Sequence, residues 1–186
     1  MTKKFNCKVL AFDPRLKMKK QYVKLQENVI LYKTGLSAEN KPSGNDQDAA
    51  WADNTWDLKT LGTILQSTAP SNAIIDYMKI DIQEGEWSAL LTAFQEMSLQ
   101  NVKQLCIEIH IVGKFSNFLT HERISALKTL RGIGFRIYSS EDLGRRKVSP
   151  YTGRNVHSRF RLYFINKHFL EQVRDMKRDN SSDTLW

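Results

Sequence analysis

No run of apolar residues in this chain approaches the roughly 20 that a bilayer span requires, which excludes a transmembrane helix within it. The opening residues, Met-Thr-Lys-Lys-Phe-Asn-Cys, carry lysines but no apolar stretch behind them, so no signal peptide is read there. Cysteine is scarce. Cys7 and Cys106 are too few for a disulfide framework or a metal quartet, and each sits in or beside an apolar run, as a buried free thiol does. No G-x-G-x-x-G turn is present, which argues against a dinucleotide-dependent oxidoreductase. Repeats and low-complexity segments are also lacking. The cytoplasm is then the default compartment, and a membrane-anchored or secretory-pathway location would require a longer form.

What the chain does contain suits one globular domain. Its 186 residues are 41% hydrophobic and 10% aromatic, enough to build a core and unlike a disordered composition. The formal charge of +8 is unevenly spread. Lys3, Lys4, Lys8, Arg15, Lys17, Lys19, Lys20 and Lys24 crowd the first segment, against Asp13 alone. Arg145, Arg146, Lys147, Arg154, Arg159 and Arg161 form a second group with no acid among them. Such groups suit either a solvated face or an acidic partner. No aromatic stacking pattern accompanies either group, which argues against single-stranded nucleic acid.

The apolar pattern alternates between strand-like and helix-like stretches. Strands are expected at Lys8–Phe12, Val29–Tyr32, Ala73–Ile82, Val102–Ile109, Phe135–Tyr138 and Phe160–Ile165. Helices are expected over Leu16–Leu25, near Leu58–Leu65, along Trp87, Leu90, Leu91 and Phe94, and along Ile124, Leu127, Leu130 and Ile133, with Gly132 and Gly134 as stops. Ser37–Asn54 reads as a polar loop inside this pattern, and Arg174–Trp186 as a fraying tail. Strands alternating with helices, the central ones mostly apolar, predict a mainly parallel sheet covered on both faces.

In such a sheet, ligands sit beyond the carboxyl ends of the strands. That rule selects Asp13, Asp81, and Glu108 with His110. Asp13 precedes Pro14, so it suits either a ribose-binding carboxylate or an ordinary turn. Asp81 ends an apolar strand, where a carboxylate needs a partner or a polar cleft. Glu84 and Glu86 fall at the start of the next helix, where the helix dipole favours acids. Glu108 and His110 project to one side of their strand, as a base and its orienter would, or as two ligands, too few to claim a metal.

Phe12-Asp13-Pro14, Gly35-Leu36-Ser37, Thr60-Leu61, Lys79-Ile80-Asp81-Ile82, Gly85-Glu86-Trp87 and Ile107-Glu108-Ile109-His110 come in a definite order. Together with Gly134-Phe135-Arg136 and Arg161-Leu162-Tyr163-Phe164, this set resembles the FkbM-type S-adenosylmethionine-dependent methyltransferases, in particular their animal methyltransferase-like branch. The resemblance runs from about Phe5 to Lys167. It implies a Rossmann-like, mostly parallel sheet with an antiparallel last strand, here lacking the first strand and its glycine-rich loop. Residues 1–167 would be the methyltransferase-like domain and 168–186 a C-terminal helix and tail. It further implies that Asp13, Gly35, Leu36 and Asp81 bind S-adenosylmethionine, and that Asp81, Glu86 or His110 serves as base for an oxygen or nitrogen acceptor. The alternative is a catalytically inactive methyltransferase-like binding module, or a truncated fragment, with a basic partner-binding surface. One departure stands out: the family has Glu-Gly directly after the Asp-hydrophobic pair, whereas here Gln83-Glu84-Gly85 follows.

Overall fold

The computed structural model describes residues 6–41, 56–83, 85–110, 117–144, 146–148, 153, 155–157 and 159–171. Most of the expected polar loop, Glu84, and the tail therefore lie outside the described residues.

Strands β1 (Val9–Phe12), β2 (Tyr22–Gln26) and β3 (Val29–Tyr32) form a sheet in the order β1-β3-β2. The helix expected over Leu16–Leu25 is absent, and its second half is β2 instead. Glu27 and Asn28 make the turn, β2 folds back antiparallel onto β3, and the ladder captures the segment before a helix can form. Its apolar residues fit either period over so short a span. β4 (Gly35–Leu36) pairs with β5 (Leu58–Lys59), and α1 (Leu61–Thr68) follows. The Thr60 hydroxyl accepts from the Thr63 N–H as its N-cap, and Pro70, just past the last turn, cannot continue the helix.

The main sheet holds β6 (Met78–Ile80), β7 (Gln104–His110), β11 (Arg159–Asn166) and β8 (Phe135–Asp142), in the order β6-β7-β11-β8. The hairpin β9 (Arg146–Val148) with β10 (Asn155–His157) stands apart from it. β6 and β7 run parallel, while β11 is antiparallel to both β7 and β8.

This corrects the expected architecture. Among the described residues the strands make four small sheets of mixed direction, with more strand than helix, and no doubly wound, mostly parallel Rossmann-like sheet. The physical reason lies in burial. Leu105, Ile107, Ile109, Leu162 and Phe164 share one core cluster with Trp87, Leu90 and Ala93 of α2 (Glu86–Gln95), and with Ala126 and Leu130 of α3 (Asn117–Gly132). The opposite face carries Lys79, Glu108, His110, Arg159 and Arg161, in alternation with the apolar set. Among the described residues the helices thus serve one face of this sheet, the pattern of an antiparallel layer.

α2 ends in a reversal in which Met97 takes φ 54° and the Ser98 N–H reaches back to the Ala93 carbonyl at 2.9 Å. α3 stops as expected near Gly134, whose φ of 105° favours glycine; a Cβ there would lie 2.5 Å from the His168 ring.

Candidate functional site

Parallel pairing of β6 with β7 sets Ile80 beside Ile107, so Asp81, one residue beyond the strand, comes level with Glu108 and near His110. Antiparallel pairing of β11 with β7 then sets Arg161 beside Glu108 and Arg159 beside His110. Two registers thereby gather residues from three distant parts of the chain.

Glu108 is completely buried and fully engaged. Arg161 donates to its Oε2 at 2.8 and 3.2 Å, Arg159 donates from both Nε and Nη2 to its Oε1, and Lys79 stands 3.4 Å from Oε2. Burial by itself would raise the Glu108 pKa, but the hydrogen bonds from Arg161 and Arg159, with the Lys79 charge, outweigh it and hold the carboxyl at about 2. Arg161 also meets Glu141 at 2.8 Å. The hydrogen bonding with Tyr163, then with Glu108, raises the Arg161 pKa further.

His110 lies on the other side of this network. Its Nδ1 is 3.0 Å from Oε1 of Glu86, a residue with no solvent exposure at the start of α2. The same oxygen accepts the Ile82 N–H at 3.2 Å. Hydrogen bonding to this carboxylate makes Nδ1 the donor and fixes the ring with Nε2 turned toward Asp81 and Glu108. Nε2 sits 3.8 Å from Asp81 and 3.7 Å from Glu108, in a side chain 12% exposed. Glu86 Oε2 has no hydrogen-bond partner among the described residues, an expensive arrangement for a buried acid. The Trp87 indole N–H and Arg123 Nε are likewise buried without partners among the described residues, with the Arg123 guanidinium 6.0 Å from the Trp87 ring centroid.

Asp81 stands at the rim of the cluster, about a third exposed and bonded to Lys79 at 2.9 Å. Just beyond it, Gln83 lies in the left-handed region at φ 54°.

Asp13 and Gly35 are also brought together, though not as an open cradle. Arg15 grips both Asp13 oxygens at 3.0 and 3.1 Å, and this hydrogen bonding lowers the Asp13 pKa. Gly35 is buried, and a Cβ on it would meet Leu58 at 2.6 Å and Pro14 at 2.8 Å. Its missing side chain makes room for protein, and Leu36 beside it packs against the core. Asp81 adds to Asp13 in raising the Arg15 pKa, so the end of β1 lies within electrostatic reach of the His110 cluster.

Asp81, Glu108 and His110 each offer a ligand atom, all within 4.8 Å of one another. Two arginines and a lysine already neutralise Glu108, so a cation would find only Asp81 and His110 with ligand capacity to spare. That is short of the three protein ligands of a catalytic zinc site.

The sequence reading found Asp81, Glu86, Glu108 and His110 but missed the roles of Lys79, Arg159 and Arg161. Alternation along Arg159–Ile165 was their signal: the basic positions share one face, which had to meet a polar face of its neighbour. Comparisons with protein families, with curated proteins and with solved structures return no match.

Proposed function

We propose that the chain is a methyltransferase-like domain in which His110, oriented by Glu86, acts as the base for an oxygen or nitrogen acceptor. One observation carries this reading: a buried carboxylate holds Nδ1 of a histidine at the ends of two parallel strands and leaves Nε2 facing the partly exposed Asp81. A histidine fixed in this way can take a proton from an acceptor while the buried carboxylate stabilises the resulting imidazolium. For a nitrogen acceptor with two N–H groups, Asp81 lies where it can accept one hydrogen bond while Nε2 takes the other proton; a hydroxyl would give its single proton to Nε2. S-adenosylmethionine, the donor implied by the resemblance, would supply a methyl group on a positively charged sulfur. Asp13 and Gly35 do not form an open cradle for its nucleoside, so the support comes from the proton-handling side of the site.

That closed donor side favours a second reading, a methyltransferase-like binding module without turnover. Calorimetric titration with S-adenosylhomocysteine separates the two. Micromolar binding, about −8 kcal/mol, that weakens on Asp81→Ala supports the transferase. A folded chain that gives no heat supports the binding module. Nitrogen NMR of His110 is the independent check, because a proton resident on Nε2 in place of Nδ1 would remove the base.

A further inference from the structure

We infer that the free edge of β2 is a docking strand for an acidic, extended peptide segment. All five residues of β2 are exposed, including Tyr22 at 58%, Val23 at 38% and Leu25 at 57%. Among the described residues β2 is the outer strand of its sheet, paired only with β3. The Lys33 N–H donates to the Gln21 carbonyl at 2.8 Å. In an antiparallel ladder this spends the backbone groups of Gln21 and Val23 on β3 and turns those of Tyr22 and Lys24 outward. The edge therefore offers hydrogen-bonding groups of the kind that strand addition uses.

Lysines on an edge strand ordinarily keep it from pairing. Here they accompany three exposed apolar side chains, which such protection does not require. Between Leu16 and Lys33 there are five lysines, Lys17, Lys19, Lys20, Lys24 and Lys33, against one acid, Glu27. Lys17, Lys19, Lys20 and Lys24 are exposed, and none makes an ion pair among the described residues. That charge selects the occupant. A second copy pairing through β2 would bring lysine against lysine, which is destabilising. A strand with acids on the Lys24 face and apolar residues on the Val23–Leu25 face would satisfy both faces at once. This surface works independently of the chemistry at His110.

The test uses the full chain and a fluorescent eight-residue peptide of alternating Glu and Val, followed by anisotropy. Saturable binding is expected, weakening as salt rises. The double variant Lys20→Glu with Lys24→Glu should lose at least tenfold in affinity while keeping the wild-type thermal midpoint. The same peptide N-methylated at alternate residues keeps its charge but cannot pair as a strand, and it should not bind. Equal binding of the methylated peptide would reduce the surface to an anion patch and overturn the proposal. No saturation with the unmodified peptide would overturn it too. So would binding of phosphatidylserine vesicles or oligothymidine, but not the peptide, that is lost in the double variant. S-adenosylhomocysteine titration of that variant should match the wild type, which keeps this result separate from the His110 reading.

Discussion

Replacing Glu108 with glutamine removes the one anion that Arg159 contacts among the described residues, while Arg161 keeps Glu141 and Lys79 keeps Asp81. Stripping one partner from a buried ion pair costs about 3–5 kcal/mol when the other charge stays buried. Arg159 is 35% exposed and can turn to water, so the cost should fall near the lower end. Linkage gives an independent figure. The folded-state pKa of about 2 lies below the ordinary 4.5, a gap worth about 3 kcal/mol at about 1.36 kcal/mol per pH unit. A depressed carboxyl pKa stabilises fully above the unfolded value and loses that stabilisation as pH falls through the folded one. The wild type should therefore exceed Glu108→Gln by about 3 kcal/mol at neutral pH, with the difference shrinking steadily as pH drops from 4.5 toward 2. Urea denaturation of both proteins across that range measures it, with equal slopes required before the midpoints are compared. A difference that stays constant with pH, or a neutral-pH difference below about 0.5 kcal/mol, would refute the assignment of Glu108 as a paired anion.

Substitutions at Gln83, Gly35 and Glu86 bear on the site and its supports. Gln83→Gly should raise stability by about 0.5–1 kcal/mol in denaturant, because glycine relieves the left-handed φ of 54° at some cost in unfolded-state entropy; a fall would mean that the Gln83 side chain is needed. Gly35→Ala should cost about 1–3 kcal/mol, since its Cβ would overlap Leu58 and Pro14, and Pro14 to Ala should recover part of that loss in the double variant. Glu86→Ala should destabilise by about 2–4 kcal/mol, leaving a cavity and an unpaired Ile82 N–H, whereas Glu86→Gln should stay within about 1 kcal/mol of the wild type because its amide oxygen can still accept both bonds. Equal stabilities for the two variants would show that hydrogen bonding is not what places Glu86.

Much of the site was legible because its residues sit at the ends of apolar runs, where any strand must hand its chain to solvent. Asp81 and the Glu108–His110 pair were found in this way, and the structure gathers them within 4.8 Å. Glu86 was legible only as an acid at a helix start. Nothing local marks it as buried, because its burial depends on His110, 24 residues away in the chain. Strand direction was illegible for a related reason. Val102–Ile109 carries Leu105, Ile107 and Ile109 on one parity and Gln104, Cys106 and Glu108 on the other, a pattern that marks its buried face but not the direction of its neighbours. Whether the later strand runs with it or against it depends on a path of about 50 residues that hydropathy does not encode. The alternation in Arg159–Ile165 was the better guide, since a strand with one charged face has one side to bury.

The same alternation explains how Glu108 can be an acid with no solvent exposure. A carboxylate on a core strand is tolerable only if its neighbours bring compensating donors, and β11 brings two arginines at the positions opposite and diagonal to it. Those guanidiniums neutralise the acid and fill its lone pairs, which withdraws it from both metal binding and proton transfer. On the proposed reading, proton transfer at this end of the sheet would therefore fall to His110, whose Nδ1 is held by Glu86, with the partly exposed Asp81 as the adjoining carboxylate.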